Sequence, residues 1–241
     1  MKRAILILLA AGLLSVSAAA SGLAGAAATK SPAGCVPKGG AYREAGSRRH
    51  RWVALTFDGG PTWGYTARIL NRLKRDHVRA TFFIRGQFIA GRTGLLRREL
   101  GAGHELANHS WSHPHLPGWR QLERTSHAIS NATAFTPCLF RAPYGDLNSA
   151  LITRARHQRM LTIGWTVDSW DSLYENVSSQ TIYRRVVNRV RPGAIILMHD
   201  GEGSHPGTLR ALEPILAALR RKHLTPVTVS QLLGLRQLRH R

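Results

Sequence analysis

Cysteine is scarce in this chain of 241 residues: there are two, Cys35 and Cys138. That excludes a disulfide-dense scaffold, and the lack of any Cys-x-x-Cys pair or Cys/His cluster gives no sign of a structural zinc site. Acidic side chains are also few, 13 against 34 Lys plus Arg, for a formal net charge of +21. Long apolar runs are missing beyond Ala4–Leu14, which falls short of the roughly 20 residues a membrane span needs. No membrane span is therefore expected in the mature chain, and no internal repeat is present. Hydrophobic residues at 43% and charged ones at 20% are those of a folded core rather than a disordered chain.

The N-terminus has the form of a secretory signal. Lys2 and Arg3 precede the apolar run, and small-residue sites such as Ala24-Gly25-Ala26 or Ala26-Ala27-Ala28 follow it. Residues 1–28 are read as a signal peptide, which makes the protein secreted or associated with the cell envelope. Residues 29–50, basic and without period, read as a linker, and 51–241 as one domain. In an exported chain a Cys35–Cys138 disulfide is the natural pairing, with two separate thiols the alternative. The positive charge favours anionic cell-envelope polymers as neighbours, and export argues against nucleic acid as a partner.

From Arg51 onward, short apolar runs alternate with amphipathic segments. Strands are predicted at Trp52–Phe57, Val78–Ile84, His104–Asn108, Leu139–Ala142, Met160–Val167, Ala194–His199 and Pro226–Val229. Helical patterns fall between them, as at Tyr65–Arg75, where Ile69, Leu70 and Leu73 share a face. About seven β-then-α units imply a parallel sheet. Polar clusters after at least five strands favour a ring of loops on one face, the way a (β/α) barrel builds its site.

Those clusters are Thr56-Phe57-Asp58-Gly59-Gly60-Pro61, His109-Ser110-Trp111-Ser112-His113, Arg141-Ala142-Pro143-Tyr144-Gly145, Asp168-Ser169-Trp170-Asp171 and Leu197-Met198-His199-Asp200. Two imidazoles four apart can meet one metal ion if their segment is helical. Arg141 at a strand end can hold a carboxylate through paired hydrogen bonds. His199, ending the most apolar strand, is placed as a general acid or base. The polar residues of His104–Asn108 are costly in a strand unless used.

The order of these motifs resembles the NodB-homology polysaccharide deacetylases, carbohydrate esterase family four. Their signatures run T-F-D-D-G-P, H-[ST]-x-x-H, R-x-P-Y, D-x-x-D-W and L-x-H; this chain has TFDGGP, HSWSH, RAPY, DSWDS and LMH over roughly residues 51–235. The resemblance implies a single-domain α/β fold, a distorted (β/α) barrel of about seven parallel strands. It implies hydrolytic removal of N-acetyl groups from peptidoglycan, chitin or a related glycan, with acetyl esters an open alternative. By the same resemblance Asp58 is the general base and His199 the general acid, with Arg141 orienting Asp58 and Asp171 tuning His199. His109 and His113 are implied as ligands of a divalent metal, zinc being the usual one. The Tyr144 backbone N–H would stabilise the oxyanion and Leu197 would line the acetyl pocket.

Two positions depart from the pattern. Gly59 stands where the family's third metal ligand, an Asp, belongs, and Ser172 where a Trp belongs, with Trp170 available to fill that space. Two neutral imidazoles hold a dication weakly or not at all, and Asp168, Asp200, His115 or water are the candidates to complete the set. Three readings follow: an active N-deacetylase, a catalytically weak or inactive glycan-binding homologue, and a basic envelope protein that binds by charge alone. Gly59→Asp should tighten metal binding unless another residue already takes that place.

Overall fold

A computed structural model describes residues 32–37, 40–172 and 177–239; the segment 1–28 read as a signal peptide lies outside them. The strands are β1 (Pro32–Val36), β2 (Tyr42–Arg43), β3 (Trp52–Asp58), β4 (Thr81–Ile84), β5 (Glu105–Asn108), β6 (Leu139–Phe140), β7 (Leu161–Ile163), β8 (Val167–Asp168), β9 (Ile195–His199), β10 (Thr225–Val227) and β11 (Arg236–Arg239). The helices are α1 (Tyr65–Arg75), α2 (Thr93–Gly101), α3 (Trp119–Thr133), α4 (Ser149–His157), α5 (Ser179–Arg189), α6 (Pro206–Arg221) and α7 (Val229–Leu232).

Nine strands form one parallel sheet in the order β2-β7-β6-β5-β4-β3-β9-β8, with β10 also paired to β3. β7 and β8 stand at opposite sides of that order, yet only residues 164–166 separate them. The four steps from Ile163 to Val167 span about 14 Å at most, so the sheet must curl until its two sides approach each other. The result is a half-barrel, in agreement with the distorted barrel expected from the sequence.

Alternation along the strands separates two cores. Val53, Leu55 and Phe57 of β3 and Ile196 and Met198 of β9 face outward and pack with Ile69 of α1 and Leu216 of α6. Ala54 and Ile195 face inward with Phe83 and Val227. By the same alternation Thr56 and Asp58 of β3, and Leu197 and His199 of β9, point into the curl. Helix starts are fixed by side chains, as where Asn148 Oδ1 accepts from Leu151 N at 2.8 Å and Ser178 Oγ from Thr181 N at 3.1 Å.

Three features differ from the sequence reading. The strand expected at Met160–Val167 divides, because Thr166 N turns away to donate to Ile195 O and carries the chain across the opening of the curl. The stretch 29–50 read as a linker holds β1, paired antiparallel to β11, and β2, paired to β7. The division and β2 raise the sheet from about seven strands to nine. Cys35 of β1 is bonded to Cys138, with Cα atoms 5.4 Å apart, so the N-terminal segment is tied down beside β6.

Candidate active site

Five strand ends converge on one cleft of about 290 Å³. Asp58 and His199 are the final residues of β3 and β9 and are register partners, so a carboxylate and an imidazole leave the sheet side by side. His109 follows β5, Arg141 follows β6 and Asp168 ends β8. Leu197 and Trp165 supply apolar wall, and Tyr144 stands at the rim.

Arg141 is fully buried. Its Nη1 donates to Asp58 Oδ1 at 2.7 Å and to Thr56 Oγ1 at 2.8 Å, and Nη2 donates to Gly164 O at 3.1 Å. The guanidinium therefore holds Asp58 through one bond rather than the paired contact expected, and ties β3 to the segment crossing the curl. Burial raises the Asp58 carboxyl above its ordinary range, with the Arg141 charge opposing.

His199 and Asp171 form the second pair. Asp171 Oδ1 accepts from His199 Nδ1 at 2.8 Å, while its Oδ2 accepts from His199 N at 2.8 Å and Thr208 Oγ1 at 2.7 Å. Burial works against a charged imidazole, but the Asp171 charge and hydrogen bond outweigh it and lift the His199 pKa to about 9. At neutral pH the ring is an imidazolium.

The histidine pair meets without a helix, contrary to the sequence reading. Ser110 and His113 both have φ of 65°, and a sharp turn replaces the helical one. Asn108 Oδ1 accepts from Ser110 N at 2.9 Å, Ser110 Oγ from His113 N at 3.1 Å, and Gln121 Oε1 from Ser112 N at 2.8 Å. The two Nε2 atoms end 3.1 Å apart. Burial holds both rings neutral, with pKa values of about 3.

His109 Nδ1 lies 3.0 Å from Arg141 O, which fixes that nitrogen as the N–H donor and leaves the lone pair on Nε2. His113 Nδ1 lies 3.4 Å from Glu202 Oε2. With the His113 proton on Nδ1 as well, both Nε2 lone pairs are free to share one cation, so this donor set fits a divalent metal. Among the described residues, no three His, Cys, Asp or Glu side chains are gathered around one such point.

The other candidates for a third donor are engaged elsewhere. Asp200 accepts from Gly60 N at 3.1 Å and from Thr66 Oγ1. Asp168 accepts from Trp170 N at 2.8 Å. His115 is exposed, paired with Asp146 and stacked on Tyr144 at 4.1 Å. Trp170 does not fill the cleft beside Ser172: its ring lies under the Arg185 guanidinium, 3.2 Å away. Trp165 lines the cleft instead. His104 and Glu105 serve the frame, His104 Nδ1 accepting from Ala80 N at 3.1 Å and Glu105 from Ser230 N at 3.1 Å.

Glu202, like Trp165 and His205, is a cleft residue that sequence reading passed over. Its Oε1 accepts from Arg85 Nη1 at 2.8 Å. The one signal for it was an acid flanked by two glycines, Gly201-Glu202-Gly203, directly after the strand bearing His199.

Residues 45–162 match the family model described as polysaccharide deacetylase. The chain is 34% identical over 194 residues to a peptidoglycan-N-acetylglucosamine deacetylase of Listeria monocytogenes, covering 78% of this chain and 40% of that protein. It therefore spans well under half the length of that relative. The crystal structure of another peptidoglycan N-acetylglucosamine deacetylase superposes with a TM-score of 0.78 at 31% identity, over 83% of this chain and 95% of that one. A CE4 family pseudoenzyme from Bacillus anthracis superposes with a TM-score of 0.72 at 29% identity, over 79% and 68% of the two chains. A mutant of that pseudoenzyme with restored enzymatic activity gives 0.73.

Proposed function

The chain belongs to the polysaccharide deacetylase family, and on that premise we propose that it hydrolyses N-acetyl groups of a cell-wall glycan of the peptidoglycan type. The observation that carries this is the pairing of Asp58 and His199 at adjacent strand ends, each held by its own buried partner. Such a pair has no structural use that an apolar pair would not serve better.

His109 and His113 would hold a divalent ion, zinc in the first instance. When bound, the ion supplies polarisation of the amide carbonyl and acidifies the attacking water. Asp58, turned toward the cleft, takes the proton that the water gives up. Arg141 keeps that carboxylate oriented. His199 then donates its proton to the departing sugar amine, without which the C–N bond breaks poorly. Asp171 keeps the imidazole charged until that moment. The Tyr144 backbone N–H borders the developing oxyanion, and Leu197 with Trp165 encloses the acetyl methyl. The basic surface suits an anionic cell envelope, and the N-terminal signal read in the sequence suits export to it.

The likeness to a pseudoenzyme, with Gly59 where an Asp is expected, favours one second reading: a glycan-binding homologue of little or no activity. Acetate release separates the two. Zinc-supplemented protein should free acetate from N-acetylglucosamine oligomers or peptidoglycan, and prior chelation should abolish it. Glycan binding without acetate under zinc or cobalt would establish the second reading instead.

A further inference from the structure

The site that fits a metal has two neutral nitrogen donors and, at residue 59, no side chain. The loops after β3 and β9 are stitched together around that gap. Asp200 N donates to Asp58 O at 3.1 Å, and Gly60 N donates to Asp200 Oδ1 at 3.1 Å. Gly201 packs so closely on Gly59 that a Cβ there would fall 2.1 Å from the Gly59 carbonyl oxygen. This contact fixes where the next residue, Glu202, must rise.

It rises over Gly59. A Cβ built on Gly59 would stand 2.8 Å from Glu202 Cγ and 3.3 Å from its carboxylate carbon. The Glu202 side chain thus fills the volume that a side chain at position 59 would use. Glu202 Oε1 is fixed by Arg85, and Oε2 faces His113 at 3.4 Å. Glu202 has φ of 65° and Gly203 φ of 137°, a backbone path that turns the side chain inward at some conformational cost.

We propose that Glu202 replaces the absent residue-59 carboxylate as the anionic third donor of a divalent-metal site with His109 and His113. Glu202 Oε2 now lies by His113 Nδ1, so the carboxylate must turn from that side of the ring toward the Nε2 pair to take up the ion, with Arg85 as its anchor. The assignment rests on the reading that these two histidines hold an ion. It also changes the expectation for Gly59→Asp: that residue has φ of +90°, and its new carboxylate would compete with Glu202 for one space rather than fill an empty one.

The test is zinc affinity, measured by competition with a chromophoric chelator, together with the visible bands of the cobalt-substituted protein. Glu202→Gln, isosteric and uncharged, should weaken zinc by more than about 100-fold and alter the cobalt bands, since loss of even an outer-shell partner costs about 10–100-fold. Gly59→Asp combined with Glu202→Ala should regain most of the lost affinity, while Gly59→Asp alone gains little. Zinc binding that disappears in His109→Ala but survives Glu202→Gln would overturn this assignment alone. So would weaker binding with unchanged cobalt bands, which would mean that Glu202 acts through the His113 ring. A wild-type protein that takes up no zinc would remove the metal reading of the cleft as well.

Discussion

In the proposed hydrolysis His199 is the general acid and acts in its protonated form, which Asp171 favours by lifting the ring to a pKa of about 9. The rate of acetate release should therefore fall as pH rises through about 9. The same raised pKa gives a stability contribution that is fully present below the unfolded value near 6.5 and is lost as pH rises through about 9. Asp171→Asn removes the charge that outweighs burial, and burial then lowers the imidazole pKa. The alkaline limb of kcat/KM should move down by about two units or more, with the His199 ring resonance shifting in parallel by NMR. An unmoved limb would show that another group sets it. At the acid side, Asp58 is raised by burial, so activity should begin above the ordinary carboxylate range.

At the scale of elements, the turn 109–113 aims the metal-fitting nitrogens, and Asn108 at the end of β5 holds it. Asn108 Nδ2 donates to Leu122 O at 2.7 Å and Ser126 Oγ at 2.9 Å of α3, while its Oδ1 caps Ser110 N. Asn108→Ala leaves these buried partners unsatisfied and should lower stability by about 1–3 kcal/mol in urea unfolding. Zinc affinity should weaken in the same variant as the turn loosens. Much of this layer was legible beforehand, because β3, β5, β6, β8 and β9 each end on or just before a motif residue. What was not legible came from non-local geometry. The i, i+4 spacing of His109 and His113 matched a helix, but left-handed residues at Ser110 and His113 made a turn. Asp168 and Asp200 were weighed as donors while Glu202 was passed over, since only the packing of Gly201 on Gly59 shows which side chain enters the gap. Trp165 lines the cleft in place of Trp170 for a similar reason: the chain crosses the open side of the sheet between β7 and β8.

For the whole molecule, the curl of the sheet brings five strand ends together, and the Cys35–Cys138 bond fastens the N-terminal segment to it across 103 residues. Closing so long a loop restricts the unfolded chain, so Cys35→Ser with Cys138→Ser should lower stability by about 2–4 kcal/mol. The bond lies away from the cleft lining, and zinc affinity measured on the folded variant should be unchanged. The central claim is that this cleft performs acid–base hydrolysis with Asp58 and His199. Its most direct test is acetate release from an N-acetylglucosamine oligomer by the zinc-loaded wild type, Asp58→Asn and His199→Asn proteins. The account predicts release by the wild type and a loss of about 10²–10⁴-fold in each variant, with zinc affinity in Asp58→Asn close to that of the wild type. Equal release by all three, or none from the wild type under any divalent metal, would contradict it.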